Sequence, residues 1–153
     1  MAKEDVKDLL VFLKPFDPVI VKTALWLRDL VWEMYPACNE LIYDGPAALA
    51  FGWTPSERTS DTFCTIAIYN NECVQFGFYN GMVLDDEKGI LEGNGKQYRF
   101  IRVKDVEKFP KKYAIQFLRQ AFANSLATAK GMDTASKGKT IVKSISEKKR
   151  RPK

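Results

Sequence analysis

Two β-type runs, Thr62 to Tyr69 and Glu72 to Tyr79, stand on either side of Asn70-Asn71, and no other feature constrains the fold of this chain as strongly. Asparagine tolerates the turn conformations that join antiparallel neighbours, so the pattern predicts a β-hairpin with a two-residue loop. That loop length sets Cys73 opposite Ile68 and Gly77 opposite Cys64. One face then carries Phe63, Thr65, Ala67, Val74, Phe76 and Phe78, and the other Cys64, Ile66, Ile68, Cys73 and Tyr79. Both faces are mostly apolar, which predicts cover on each side of the sheet.

Helical patterns flank this β region. Val6, Leu9, Leu10 and Leu13 recur at helical spacing before Pro15, which predicts a short amphipathic helix. Asp17 followed by Pro18 reads as an N-cap and first helical residue, opening a second helix to about Tyr35. Its buried stripe is Ile20, Ala24, Leu27, Val31 and Met34, with Lys22, Asp29 and Glu33 opposite and Trp26 among them. Glu40–Tyr43 and Ala47–Trp53 read as strands around Asp44-Gly45-Pro46, and Gln97–Val103 as another. Lys111–Lys130 is a predicted final helix, with Gly131 as its stop. The fold class expected is α+β, an antiparallel sheet packed against N- and C-terminal helices, in one domain spanning residues 1–130.

The net charge of +5 suggests a polyanion partner until it is divided along the chain. Residues 131–153 hold eight of the 24 basic and two of the 19 acidic residues, which leaves +6 on that segment and −1 on the rest. Only Ile141, Val142 and Ile145 are strongly apolar there, so the segment is expected to be a disordered basic tail. Nucleic acid is expected as a partner only through this tail, whose Lys148-Lys149-Arg150-Arg151 run would hold phosphates without sequence preference. No run approaches the ~20 apolar residues of a membrane span, and Met1–Leu10 lacks the order of a signal peptide. A cytoplasmic protein without a membrane partner is expected.

Histidine is absent and the three cysteines, Cys38, Cys64 and Cys73, lack paired spacing. The first fact removes Ser-His-Asp and Cys-His catalysis and imidazole-ligated metal, and the second removes a zinc knuckle or disulfide framework. With no visible nucleophile–base pair or cofactor motif, the chain is expected not to be an enzyme.

Gly89 to Arg102, G-I-L-E-G-N-G-K-Q-Y-R-F-I-R, is the most distinctive stretch. It fails as a phosphate loop, because five residues rather than four separate Gly89 from Gly95 and Gln97 follows Lys96. Its glycines suit tight turns before a strand. Gly93, Gly95, Lys96, Arg99 and Arg102 are nevertheless candidates to bind an anion, with Arg99 alternatively paired to a carboxylate such as Glu92. Asp85, Asp86 and Glu87 are candidate ligands for a hard cation, against the plainer reading of a solvated acidic loop. Asp29 and Glu33 share a helix face and would supply half of a carboxylate site. Trp26 would mark a partner-binding spot if exposed, or lie over the sheet edge.

The order of these elements resembles the YdhG-like family of small bacterial domains. The likeness covers roughly residues 18–127. It rests on L-R-D-L-V-W-E-M-Y-P (Leu27 to Pro36), L-I-Y-D-G-P (Leu41 to Pro46) and the hairpin, and most of all on L-E-G-x-G-K-x-x-R at Leu91 to Arg99. The resemblance implies a fold similar in outline to frataxin. Most members have no assigned activity, and at least one is regarded as an intracellular iron chaperone. It therefore implies weak iron binding, with a protein partner that receives the metal. This chain departs from common members at the hairpin, where a histidine is often found and Glu72 and Cys73 stand here. Beside it stands the alternative of a module that binds an anionic small molecule or protein through the Gly-rich Lys/Arg segment.

Overall fold

The computed structural model describes residues 6–80, 84–93, 97–128 and 138–147. Helix α1 (Val6–Leu13) and helix α2 (Pro18–Met34) precede strands β1 (Asn39–Asp44), β2 (Leu49–Thr54), β3 (Cys64–Ile68), β4 (Val74–Tyr79) and β5 (Tyr98–Val103). Helix α3 (Lys111–Thr128) and strand β6 (Thr140–Ile145) follow. The six strands form one sheet in the order β5-β4-β3-β2-β1-β6. Strands β1 to β5 are antiparallel meander neighbours, and β6 adds parallel to β1. The fold is α+β with a mostly antiparallel sheet.

The hairpin register differs from the sequence expectation by one residue. Cys64 pairs with Phe78, Thr65 with Gly77, Ile66 with Phe76 and Ala67 with Gln75. The loop is longer than Asn70-Asn71, because Asn70 folds its side chain back to accept the Glu72 N–H at 2.8 Å, and β4 starts only at Val74. A one-residue shift moves a strand's whole side-chain set to the other face. Cys64, Ile66 and Ile68 therefore share a face with Val74, Phe76 and Phe78, while Thr65 and Ala67 lie beside Gln75 and Gly77.

This register gives the sheet one core face instead of two. Its members in the buried hydrophobic cluster are Ile42, Leu49, Phe51, Trp53, Cys64, Ile66, Ile68, Val74, Phe76, Phe78, Ile101 and Val103, which all stand on the same side. Helices α2 and α3 pack on β3 and β4 and bury Ile20, Ala24, Leu27, Val31, Ala114, Phe117 and Leu118 against that side. The expected cover on both faces does not form among the described residues. The second face is filled by small and aromatic residues of the strands themselves.

Other differences are local. In α1 the buried stripe is Leu9, Phe12 and Leu13, while Leu10 is 48% exposed, so the helix is turned toward Phe12 from the predicted face. Asp17 and Pro18 occupy the predicted cap and first-turn positions. The Asp17 side chain makes no cap bond, but its N–H donates to Asn71 Oδ1 at 2.9 Å and ties the start of α2 to the hairpin loop. The expected disorder does not extend over 140–145, which form β6. Those residues are too polar for a core of their own, but β1 offers an open edge whose backbone groups they satisfy. Gly138 enters that strand at φ +75, with its Cα close to the Pro36 carbonyl, so a side chain there would collide. The predicted helix stop at Gly131 and the basic run 148–153 lie outside the described residues.

Candidate functional site

The Gly-rich cassette and the acidic loop before it are one folded connection. The Asp86 carboxylate accepts the N–H groups of Ile90 and Leu91 at 2.9 and 3.0 Å, and its carbonyl accepts from Gly89 N at 3.1 Å. Gly89 takes φ +63, which a side-chain-free residue adopts without strain. The loop is fixed to α3, where Asp85 N–H donates to Gln120 Oε1 and Lys88 N–H to Tyr113 Oη, both at 2.8 Å. Glu92 then bridges Phe100 on the outer edge of β5 through two backbone bonds of 2.8 and 3.1 Å. Gly93, at φ +102, lets the Phe100 ring approach.

Of the predicted cationic group, the two described arginines do not converge. Arg99 pairs with Phe78 and Arg102 with Gln75, so the two guanidinium groups start from opposite faces of β5. Arg102 lies 3.6 Å from Glu92 Oε1 and over the Phe100 ring, so it is Arg102 rather than Arg99 that meets this carboxylate. Arg99 donates to the Tyr98 carbonyl at 3.1 Å. Gly95 and Lys96 lie outside the described residues.

Among the acidic candidates, Asp86 is committed to the loop, and Asp85 and Glu87 are exposed. Asp29 and Glu33 sit on the outer side of α2. Among the described residues no three Cys, Asp or Glu side chains come together as a metal site. Burial pushes the Cys38 thiol up to about 12, raises Cys64 well above the ordinary thiol range and also raises Cys73, so none of them is an activated thiolate. Trp26 stacks edge-on against Phe109 at 5.6 Å with Lys111 over its ring, and lines a shallow groove of about 600 Å³ with Phe16, Val21 and Leu25.

Sequence reasoning missed a second cavity, of about 420 Å³, lined by Thr59, Ser60, Thr62, Phe63, Tyr79, Asn80, Gln97, Ala121 and Ser125. It gathers hydroxyl and amide groups over a floor of Phe63 and Ala121. Its outer wall is the single 3-10 turn Thr59–Asp61, held in place by Asp61. The Asp61 carboxylate accepts from Ser56 Oγ at 2.6 Å and from Arg58 at 3.0 and 3.3 Å, and its carbonyl accepts from Ser125 Oγ at 2.5 Å. The Ser56 hydrogen bond, with Arg58 adding to it, holds the Asp61 carboxyl below the usual carboxylate range. The Tyr43 hydroxyl meets Thr59 from the sheet side. Asn80 completes the rim in a left-handed conformation, φ 55, and burial raises the Tyr79 hydroxyl, with Tyr43 and Tyr69 nearby adding to the shift. That Asn80, Gln97 and Ser125 line one cavity required the tertiary structure.

The molecule thus belongs to the α+β class, with a six-stranded sheet that carries helices on one face and a polar cavity at one end. Compared with protein-family models, curated proteins and solved structures, the chain finds no match. No described helix is long and apolar enough to cross a membrane.

Proposed function

We propose that this chain is a non-catalytic binding domain of the YdhG-like kind, whose ligand is a small polar molecule held in the cavity between the Thr59–Asp61 turn, the end of β4 and α3. The observation that carries the reading is the lining: Thr59, Ser60, Thr62 and Ser125 with Asn80 and Gln97, beside Phe63 and Ala121. Binding sites of this size combine a few placed polar groups with apolar walls. These groups donate and accept hydrogen bonds but do not titrate near neutrality, so they suit recognition better than proton transfer.

The iron-carrier role implied by the family resemblance would start from the exposed Asp85 and Glu87 with water completing the shell, an arrangement suited to weak and reversible binding. A ferrous titration read by NMR line broadening tests it, and no broadening near residues 85–87 or in α1 removes it. For the cavity, NMR-detected screening of small polar compounds is the direct test. Hits should shift Ser60, Tyr79 and Gln97 amides, and Gln97→Ala with Ser60→Ala should weaken them several-fold while the protein stays folded. Hits that shift only residues elsewhere would overturn the reading.

A further inference from the structure

The outward face of α2 carries charges that the helix itself does not satisfy. Along it stand Pro18, Lys22, Leu25, Trp26, Asp29 and Glu33, at the three- and four-residue steps that keep side chains on one side of a helix. The other side, with Ala24, Leu27 and Val31, is buried in the core. The order of the charges is the reverse of what a lone helix favours. Lys22 lies toward the N-terminus and Asp29 and Glu33 toward the C-terminus, against the dipole. No residue three or four positions from Lys22 or Asp29 bears the opposite charge, and Asp29 and Glu33 stand four apart with like charge. Among the described residues neither Lys22 nor Asp29 forms an ion pair.

Between these two charges lies an apolar centre. Leu25 and Trp26 are half-buried, and with Phe16 and Val21 they line the shallow groove of about 600 Å³. Val19, 63% exposed, stands on the Trp26 side of the helix, two turns earlier. Phe109 holds the Trp26 ring edge-on at 5.6 Å and Lys111 stands over it, so little side-chain freedom remains to be lost when a partner covers it. Lys22 and Lys111 balance Asp29 and Glu33, and a face with no net sign selects neither a polyanion nor a polycation.

What this pattern does fit is its own reverse. A second α2 laid antiparallel on the first, about a twofold axis at the Leu25–Trp26 step, sets Lys22 of each copy against Asp29 of the other. The same operation sets Leu25 of each against Trp26 of the other, and it opposes the two helix dipoles. Equal and opposite charges at equal distances from an apolar centre are what an isologous contact requires, because one patch must complement itself. We propose that the outward face of α2 is a homodimer interface, an antiparallel α2–α2 contact with Leu25 and Trp26 at its centre and two Lys22–Asp29 pairs at its rim. A contact built mainly on one 17-residue helix lies at or below about 1,200 Å², the lower end of specific interfaces, so monomer and dimer exchange with concentration.

Sedimentation equilibrium on the full chain, from about 5 to about 500 µM, reads that exchange directly. A concentration-dependent dimer is expected, and the amide resonances of Lys22, Leu25, Trp26 and Asp29 should shift over the same range. Lys22→Asp and Asp29→Lys should each weaken the dimer by about tenfold or more, since each sets like charges together at both ends of the contact. Lys22→Asp combined with Asp29→Lys restores opposite charges across the interface and should recover dimerisation. The double change also puts the charges in the order the dipole favours, so its urea midpoint should not fall. An equimolar mixture of the two single variants should pair in preference to either alone. A chain that stays monomeric at the highest concentration overturns the proposal, as does a dimer indifferent to the single reversals or one that the double change fails to restore. An amphipathic helical peptide that fills the Trp26 groove of a chain still monomeric would assign the face to a different protein and overturn it too. Ser60→Ala in the cavity should leave dimerisation unchanged, which separates this surface from the small-molecule site.

Discussion

Arg28 on α2 and Glu40 on β1 form a bidentate ion pair inside the protein, with Nε and Nη2 at 2.7 and 2.6 Å from the two carboxylate oxygens and both side chains almost fully buried. Thr140 of β6 donates to the same Glu40 Oε1 at 2.9 Å, so three elements meet on one carboxylate. Desolvating two charges is costly, and the parallel fork geometry with an added hydroxyl offsets that cost. Removing one partner strands the other. Glu40→Ala or Arg28→Ala should therefore cost about 3–5 kcal/mol, read from urea midpoints, whereas the paired change Arg28→Met with Glu40→Leu should cost markedly less than the two single changes combined.

The same cluster predicts how β6 is held. Thr140→Val removes the hydroxyl but keeps the branched shape, and should cost about 1–3 kcal/mol because Glu40 loses a charge-assisted bond in a buried site. Amide hydrogen exchange should show the loss concentrated in residues 140–145 and at the β1 edge, with β3 and β4 unchanged.

Much of this architecture was legible because its signals are local. The helix opened by Asp17-Pro18, the hairpin around Asn70-Asn71 and the strand after Gln97 depend on residues close in sequence, and each forms near its expected limits. The register failed on a single interaction, the Asn70 side chain folding back to Glu72 N–H, which lengthens the loop and exchanges the two faces of β3. Strand β6 was invisible for a different reason. Thr140–Ile145 has no strong pattern of its own, and its stability comes from an open edge about 100 residues earlier in the chain, as the Thr140–Glu40 bond shows. Arg28 was equally hidden, since a charged residue on a helix is expected outside, and only the position of Glu40 explains its burial. The candidate cavity depends on Asp61, Gln97 and Ser125, which no spacing rule brings together.

Gly77 should tolerate no side chain. Tyr98 lies against its Cα, so Gly77→Ala forces the ring to lift or the strands to separate. Overpacking of this kind costs about 1–3 kcal/mol. The Tyr98 and Thr65 resonances should shift together as their hydroxyl contact breaks, and Gly77→Ala combined with Tyr98→Ala should recover part of the loss; a double variant no more stable than Gly77→Ala would refute the packing account.

Thiol accessibility should separate the cysteines. Cys38 and Cys64 are buried and their thiols stay protonated at neutral and mildly alkaline pH, while Cys73 is partly exposed with Arg102 and Lys104 moderating its upward shift. Alkylation of the native protein near pH 8 followed by mass spectrometry should modify Cys73 first, with Cys38 and Cys64 reacting only as the protein unfolds.

Asp61 predicts an acid dependence of stability with a definite sign. Ser56 and Arg58 lower its carboxyl in the folded state relative to an ordinary aspartate near ~3.9. Between the folded and unfolded values the unfolded chain binds the proton and the native protein does not, so this contribution is complete above about pH 4 and is lost as pH falls through the folded value. Asp61→Asn should lower the urea midpoint at pH 7, and the gap between variant and wild type should narrow progressively below about pH 4. Because the Asp61 carbonyl still receives Ser125, the 3-10 turn keeps one of its anchors, and the loss should appear as faster amide exchange at Thr59–Thr62 before global unfolding. A gap that stays constant from pH 7 to pH 3 would show that the carboxylate is not what holds the cavity wall.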